Sequence, residues 1–160
     1  MGRSGLAGWR PEKLREAREV AGLSMSALAR RAGVSQPMMS RYERGESAPS
    51  VEALARIAAA LGKRPADFLD PEVRGMAALR AARGLSQQDV VERAGIPELT
   101  TGAYSHWETG RVRRIRNGDA EKLAALFGVS VDVLLEAHAQ DVARREAAGD
   151  DQQTADGARS

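Results

Sequence analysis

The chain has no cysteine, which excludes disulfides and thiolate metal sites. Aromatic residues are scarce, at 4% of the 160 positions, although 42% are hydrophobic. The apolar content is mostly Ala, Leu and Val, which suits small helices packed closely together. No stretch approaches the ~20 apolar residues of a membrane span, and Met1 to Trp9 holds no apolar run long enough for a secretory signal. A cytoplasmic protein without a membrane partner is expected. Neither charge dominates: 24 Lys and Arg face 22 Asp and Glu, for a net +2. The two histidines are His106 and His138, and no metal-ligand spacing, nucleophile–base pair or Gly-rich phosphate loop is visible. An enzyme is therefore not expected, nor a cofactor, nor a metal. His138 lies in a polar stretch and reads as a solvated surface residue.

What the chain does have is a repeat. Leu23-Ser24, Leu28, Ala32, Gly33 and Val34 recur 62 positions later as Leu85-Ser86, Val90, Ala94, Gly95 and Ile96. Ser40, Tyr42, Glu43 and Gly45 recur after 65 positions as Ser105, Trp107, Glu108 and Gly110. Ile57, Ala58, Leu61 and Gly62 recur after 66 as Leu123, Ala124, Phe127 and Gly128. Asp67 and Leu69 face Asp132 and Leu135. The chain therefore reads as two copies of one unit, at about 14–69 and 76–135. Residues 10–70 carry 11 positive and 8 negative side chains, residues 71–135 carry 9 and 8, and residues 136–160 carry 3 and 6. Arg111, Arg113, Arg114 and Arg116 form a dense basic cluster, either a solvated loop or a phosphate-contacting one.

Each copy reads as short helices separated by strong punctuation. Pro11 to Ala21 is the first, with Pro11 suited to a first turn and Leu14, Ala17 and Val20 assigned to its inner face; Gly22 stops it. Ser24 can cap a second helix running to Ala32, because its oxygen can accept from a free backbone N–H. Gly33 makes a sharp turn, and Ser35 caps a third helix reaching about Glu43. Gly45 to Pro49 is loop, Ser50 to Leu61 a fourth helix, and Pro65 to Leu69 a short fifth. In the second copy Ser86-Gln87-Gln88-Asp89 resembles a capping box, the third helix spans about Thr101 to Glu108, and the last starts near Ser130 and runs to about Arg145. The expected division is a disordered start at 1–9, a first domain at 10–70, a second at 71–146, and a disordered tail at 147–160, which holds almost nothing apolar to bury.

Two short helices joined by a tight Gly turn make a helix-turn-helix. Ala29 allows close approach, Gly33 turns the chain, and Val34 and Met39 fill the interior. The run Leu23 to Ser35 followed by Ser40-Arg-Tyr-Glu-Arg-Gly45, and its second version in Leu85 to Ile96 with Ser105 to Gly110, resembles the Cro/C1-type (XRE-like) helix-turn-helix family. Leu123 to Leu135 is a close match to that family's final helices. The resemblance implies an all-α fold of two tandem five-helix, lambda-repressor-like domains. It also implies sequence-specific binding of double-stranded DNA, often as a repressor and often as a homodimer.

Carried over residue by residue, the resemblance places Gln36, Pro37, Met38 and Arg41 on the groove-facing side of the first recognition helix. Arg41 suits guanine O6 and N7, and Gln36 suits adenine. Ser35 is expected at phosphate; Arg44 and Lys63 are phosphate contacts or plain surface charges. Met39 is expected in the core, as are Tyr42 and Trp107. In the second copy Thr101, Gly102, Ala103 and His106 take the groove-facing places, a poorer set for reading bases. Its loop Arg111 to Arg116 resembles the family's backbone-binding loop, with Arg111, Arg113, Arg114 and Arg116 at phosphates. Gln87 keeps the family's phosphate-anchoring glutamine, where the first copy has Met25. The second copy also has a longer turn, Pro97 to Thr100. The four-residue spacer Asp70 to Val73 spans at most ~14 Å, which favours one chain engaging two neighbouring grooves. An alternative stays open, in which one copy binds DNA and the other serves dimerisation or partner binding, as in an antitoxin-like regulator. An RNA-binding role lacks the aromatic stacking surface that single-strand readers present.

Overall fold

A computed structural model of the chain describes residues 6–157. Among them are nine α-helices: α1 (Pro11–Val20), α2 (Met25–Ala32), α3 (Gln36–Glu43), α4 (Val51–Leu61), α5 (Met76–Ala82), α6 (Gln87–Arg93), α7 (Thr101–Glu108), α8 (Asn117–Phe127) and α9 (Val131–Gly157). A single 3₁₀ turn, Pro65–Phe68, stands where the first copy's fifth helix was expected. The β pairing among the described residues is one isolated antiparallel bridge, Trp9 with Leu69. The chain divides into two compact units. The first comprises the residues up to Val73 together with Arg80–Ser86, and the second Arg74–Leu79 together with Gln87 onward. Relative to a boundary at residue 71, the end of α5 goes with the first unit, because Ala81 is buried in that unit's core.

The helix ends follow the expected punctuation. Ser24, Ser35 and Ser50 accept hydrogen bonds from the backbone N–H of Ala27, Met38 and Ala53, at 3.1, 3.3 and 3.1 Å. Each satisfies a donor that a helix start leaves open. Gly33 and Gly62 close α2 and α4 with φ of 66° and 65°, a conformation that glycine adopts without the steric cost of a Cβ. Their counterparts Gly95 and Gly128 have φ of 67° and 69°, so the backbone repeats as the sequence does.

In the first unit Leu14, Leu28, Met39, Leu54 and Ile57 are fully buried, and Phe68 is nearly so. Ala29, 2% exposed, leaves room for α2 to pack closely, and Met39 is core as expected. Val20 is a correction: it is 85% exposed. At 100° per residue a position six after Leu14 lies about 120° away from it around the helix. Arg18, four after Leu14, shares the inner face instead. In the second unit Met76, Val90, Tyr104, Leu123 and Leu134 are fully buried. Trp107, half-buried, meets Tyr104 edge-on at 6.3 Å between ring centroids.

Both ends differ from expectation. Residues 6–9 are ordered against the first unit: the Arg10 N–H donates to Phe68 O at 3.0 Å, and the Asp70 N–H donates to Gly8 O at 2.8 Å. The Trp9 indole donates to Tyr42 O at 3.3 Å, so this aromatic finds both an apolar neighbour and a partner for its N–H. Residues 1–5 lie outside the described residues. At the other end α9 continues to Gly157, past both Arg145 and the expected tail boundary at 147. Residues 158–160 lie outside the described residues.

Candidate nucleic-acid interface

The turn between α2 and α3 is short and held by backbone and side-chain hydrogen bonds. The Val34 N–H donates to Ala29 O at 2.9 Å, and the Arg56 Nε–H donates to Ala32 O at 3.0 Å. These bonds fix the angle between the two helices. Helix α3 buries Met39, Tyr42 and Glu43 and leaves Gln36, Pro37 and Arg41 exposed on its other side. Met38, expected in the groove, is half-buried and packs against the core, so only part of its side chain faces outward. Ser35 is exposed; while its oxygen caps α3, its hydroxyl proton stays available to an acceptor. Met25 packs against the core.

Sequence reasoning missed the tie that holds α3 down. Arg18 forms an ion pair with Glu43 through Nε, and its Nη2 donates to the second carboxylate oxygen at 3.3 Å. A third bond runs from Nη1 to Leu23 O at 3.0 Å. The side chains are 15% and 5% exposed. The bonded Glu43 carboxylate raises the Arg18 pKa above its ordinary value, against the opposing effect of burial. A bidentate guanidinium–carboxylate pair fixes geometry as well as energy. Two outward cations beside α3 share one carboxylate: Glu46 lies 4.0 Å from Arg41 and 3.1 Å from Arg44. Lys63 is exposed.

The second unit repeats the scaffold with different chemistry. The turn between α6 and α7 is longer and includes Glu98 at φ 58°, the one non-glycine with positive φ among the described residues. The Lys122 ammonium donates to Gly95 O at 2.9 Å, tying this turn to α8, and Thr100 caps α7 by accepting from the Ala103 N–H at 3.1 Å. Gly102, Ala103 and His106 are exposed and Thr101 is half-buried. The Gln87 side-chain amide, expected at phosphate, donates to Glu108 Oε2 at 3.0 Å. One of its two donors is thus turned inward onto a buried carboxylate.

After α7 come Gly110 and the basic loop. Arg111, Arg113, Arg114 and Arg116 are all exposed, while Ile115 between them is buried. Arg113 pairs with Glu146 at 3.0 Å, both side chains largely exposed. His138 is a correction. It is 3% exposed rather than solvated, and its Nε2–H donates to Val112 O at 2.8 Å. A carbonyl can only accept, so Nε2 carries the proton. The local pattern around His138 is polar, and the group that covers it lies 26 positions back in the sequence. Asp141, one turn further along α9, is also buried. It accepts from the Met76 N–H at 2.9 Å and pairs with Arg144 at 3.2 Å. Burial raises the Asp141 pKa, and the hydrogen bond from Met76 and the Arg144 charge oppose that shift.

Among the described residues no group of three His, Asp or Glu side chains is placed to hold a metal ion, and no single helix is long and apolar enough to cross a membrane.

Two helix-turn-helix units, each with a capped third helix that buries one side and exposes the other, define a class of protein. Comparison with known families bears this out. Residues 14–68 match a family described as helix-turn-helix, and residues 74–137 match a helix-turn-helix domain family. The chain belongs to the Cro/C1-type helix-turn-helix proteins and carries two such domains in tandem. It is similar to two curated relatives from two strains of Mycobacterium tuberculosis, each named an uncharacterized HTH-type transcriptional regulator. Each is 50% identical over 48 residues, which is 30% of this chain and 34% of the relative. The chain thus spans about a third of the length of the relatives it matches. No solved structure matches it.

Proposed function

We propose that this chain is a sequence-specific double-stranded DNA-binding transcription regulator that acts as a repressor by occupying its site. The observation that carries the reading is the division of α3: Met39, Tyr42 and Glu43 are turned inward, while Gln36 and Pro37 stand exposed in its first turn and Arg41 stands exposed in its last. That is the arrangement in which the N-terminal residues of a recognition helix meet base edges in the major groove. Arg41 reads guanine and Gln36 reads adenine, the pairings their donor geometry allows. Ser35 and Arg44 meet the backbone beside them. The relatives' names and the Cro/C1 resemblance support the regulatory role.

In the second unit α7 offers Thr101 and His106 to the groove, and Arg111, Arg113, Arg114 and Arg116 grip phosphates. Phosphate contacts position a protein without reading sequence. The first copy therefore supplies most of the readout and the second most of the electrostatic hold, and one chain prefers an asymmetric site. Selection of bound duplexes from randomised DNA by the full chain tests this. A recovered consensus containing a guanine whose loss hurts wild type but not Arg41→Ala is the expected result. Recovery of no consensus overturns it.

A further inference from the structure

Resting on the reading of the loop as a phosphate grip, we infer that α9 positions that loop, and that His138 is the positioning residue. Loop residues alternate between anchored and outward. Gly110 lies flush on α9: a Cβ built there would stand 2.5 Å from Asp141 O and 2.8 Å from Val142 Cα. No residue larger than glycine fits without moving helix backbone. Two positions on, Val112 O accepts the buried His138 Nε2–H at 2.8 Å. Three further on, the Ile115 side chain is buried. Arg111, Arg113 and Arg114 occupy the places between these anchors and Arg116 follows the last, and all four are exposed.

The physical case is preorganisation. Four guanidinium groups within six residues repel one another, and an untethered loop spreads them apart. Gathering them on a phosphate row then costs conformational freedom at the moment of binding. Fixing the loop's carbonyl at Val112 and its backbone at Gly110 removes that cost beforehand. His138 touches no phosphate in this account. It acts through Val112, and a side chain that keeps a donor near the Nε2 position can replace it.

The test measures affinity of the full chain for its selected duplex, at several salt concentrations, for four proteins. These are His138→Leu, His138→Gln, the triple variant Arg113→Gln/Arg114→Gln/Arg116→Gln, and the triple variant with His138→Leu added. Backbone amide exchange at residues 111–116 in the DNA-free proteins is a second readout. The expectation is that His138→Leu binds roughly 5- to 30-fold more weakly and exchanges faster in the loop, that its base preference is unchanged, and that His138→Gln stays close to wild type. In the triple background His138→Leu has almost no further effect. Equal losses from His138→Leu in both backgrounds, or an affinity and loop exchange equal to wild type, overturn the positioning role. Failure of the underlying reading looks different: the triple variant alone then leaves affinity and salt dependence unchanged.

Discussion

The two copies share a scaffold and differ in where their charge and hydrogen-bonding capacity lie. In the first, a short turn leads into α3, which presents Gln36 and Arg41, and the loop that follows α3 holds Glu46, which partly neutralises Arg41 and Arg44. In the second, the turn is longer, α7 presents Gly102, Ala103 and His106, and the loop that follows carries four exposed arginines anchored on α9. Duplication keeps the glycines and core positions because packing depends on them. The outward residues differ between the copies, and in the proposed function they form a reading surface in one and a gripping surface in the other.

The copies also hold their recognition helices differently, and that difference sets the largest expected effect. Glu43→Ala leaves Arg18 nearly buried and without its carboxylate, which costs about 3–5 kcal/mol. Gln87→Ala removes a neutral donor from Glu108, a carboxylate with further interactions, and costs about 1–2 kcal/mol. Denaturant titration of the full chain should show the first variant much the less stable. Equal losses would erase this contrast between the units.

A smaller effect concerns Asp141. Its folded pKa is raised by burial, so the folded state favours the neutral acid relative to the unfolded chain. Stability from this group is fully present below the unfolded value near 3.9 and is lost as pH rises through the higher folded pKa. An Asn at 141 can still accept from the Met76 N–H and carries no charge to bury. Asp141→Asn should therefore gain stability relative to wild type as pH rises from about 4 to 7, read as the difference between the two thermal midpoints. A difference that is constant with pH would show that burial does not govern this carboxyl.

The smallest effect is at the edge of the grip. The Arg113–Glu146 pair is exposed on both sides, and such pairs contribute at most about 1 kcal/mol. Glu146→Gln should leave unfolding almost unchanged and alter DNA affinity only a few-fold. A large loss of affinity would move the loop's support from His138 to this ion pair.

Much of the fold was legible because its signals are local. Ser24 and Ser35 before apolar periodicity, with Gly22 and Gly33 after it, mark helix ends within a residue or two, and the recurrence of Leu28 and Ile57 as Val90 and Leu123, with Met39 between them, marks core positions. What stayed hidden depends on tertiary partners. Arg18 reads as a surface cation until Glu43, 25 positions away, is brought beside it. His138 reads as solvated until the loop after α7 covers it, and Trp9 as a loose end until Phe68 and Leu69 give it a surface. The exposed Gln36 and Arg41 were legible from the resemblance, whereas the half-burial of Met38 required the packed structure.

The central claim is that reading and gripping are divided between the copies, and one experiment addresses it directly. Arg41→Ala and the loop triple variant are each titrated against the selected duplex and all its single-base variants, over a range of salt. Arg41→Ala should lose about 1–3 kcal/mol, concentrated at one base pair, with the salt slope reduced by no more than about 1. The loop variant should weaken binding to every duplex alike and reduce the log–log slope by about 3, close to one for each phosphate that is no longer neutralised. If the loop variant instead relaxes base preference, or leaves the slope of wild type intact while Arg41→Ala lowers it across all sequences, the division of labour is contradicted.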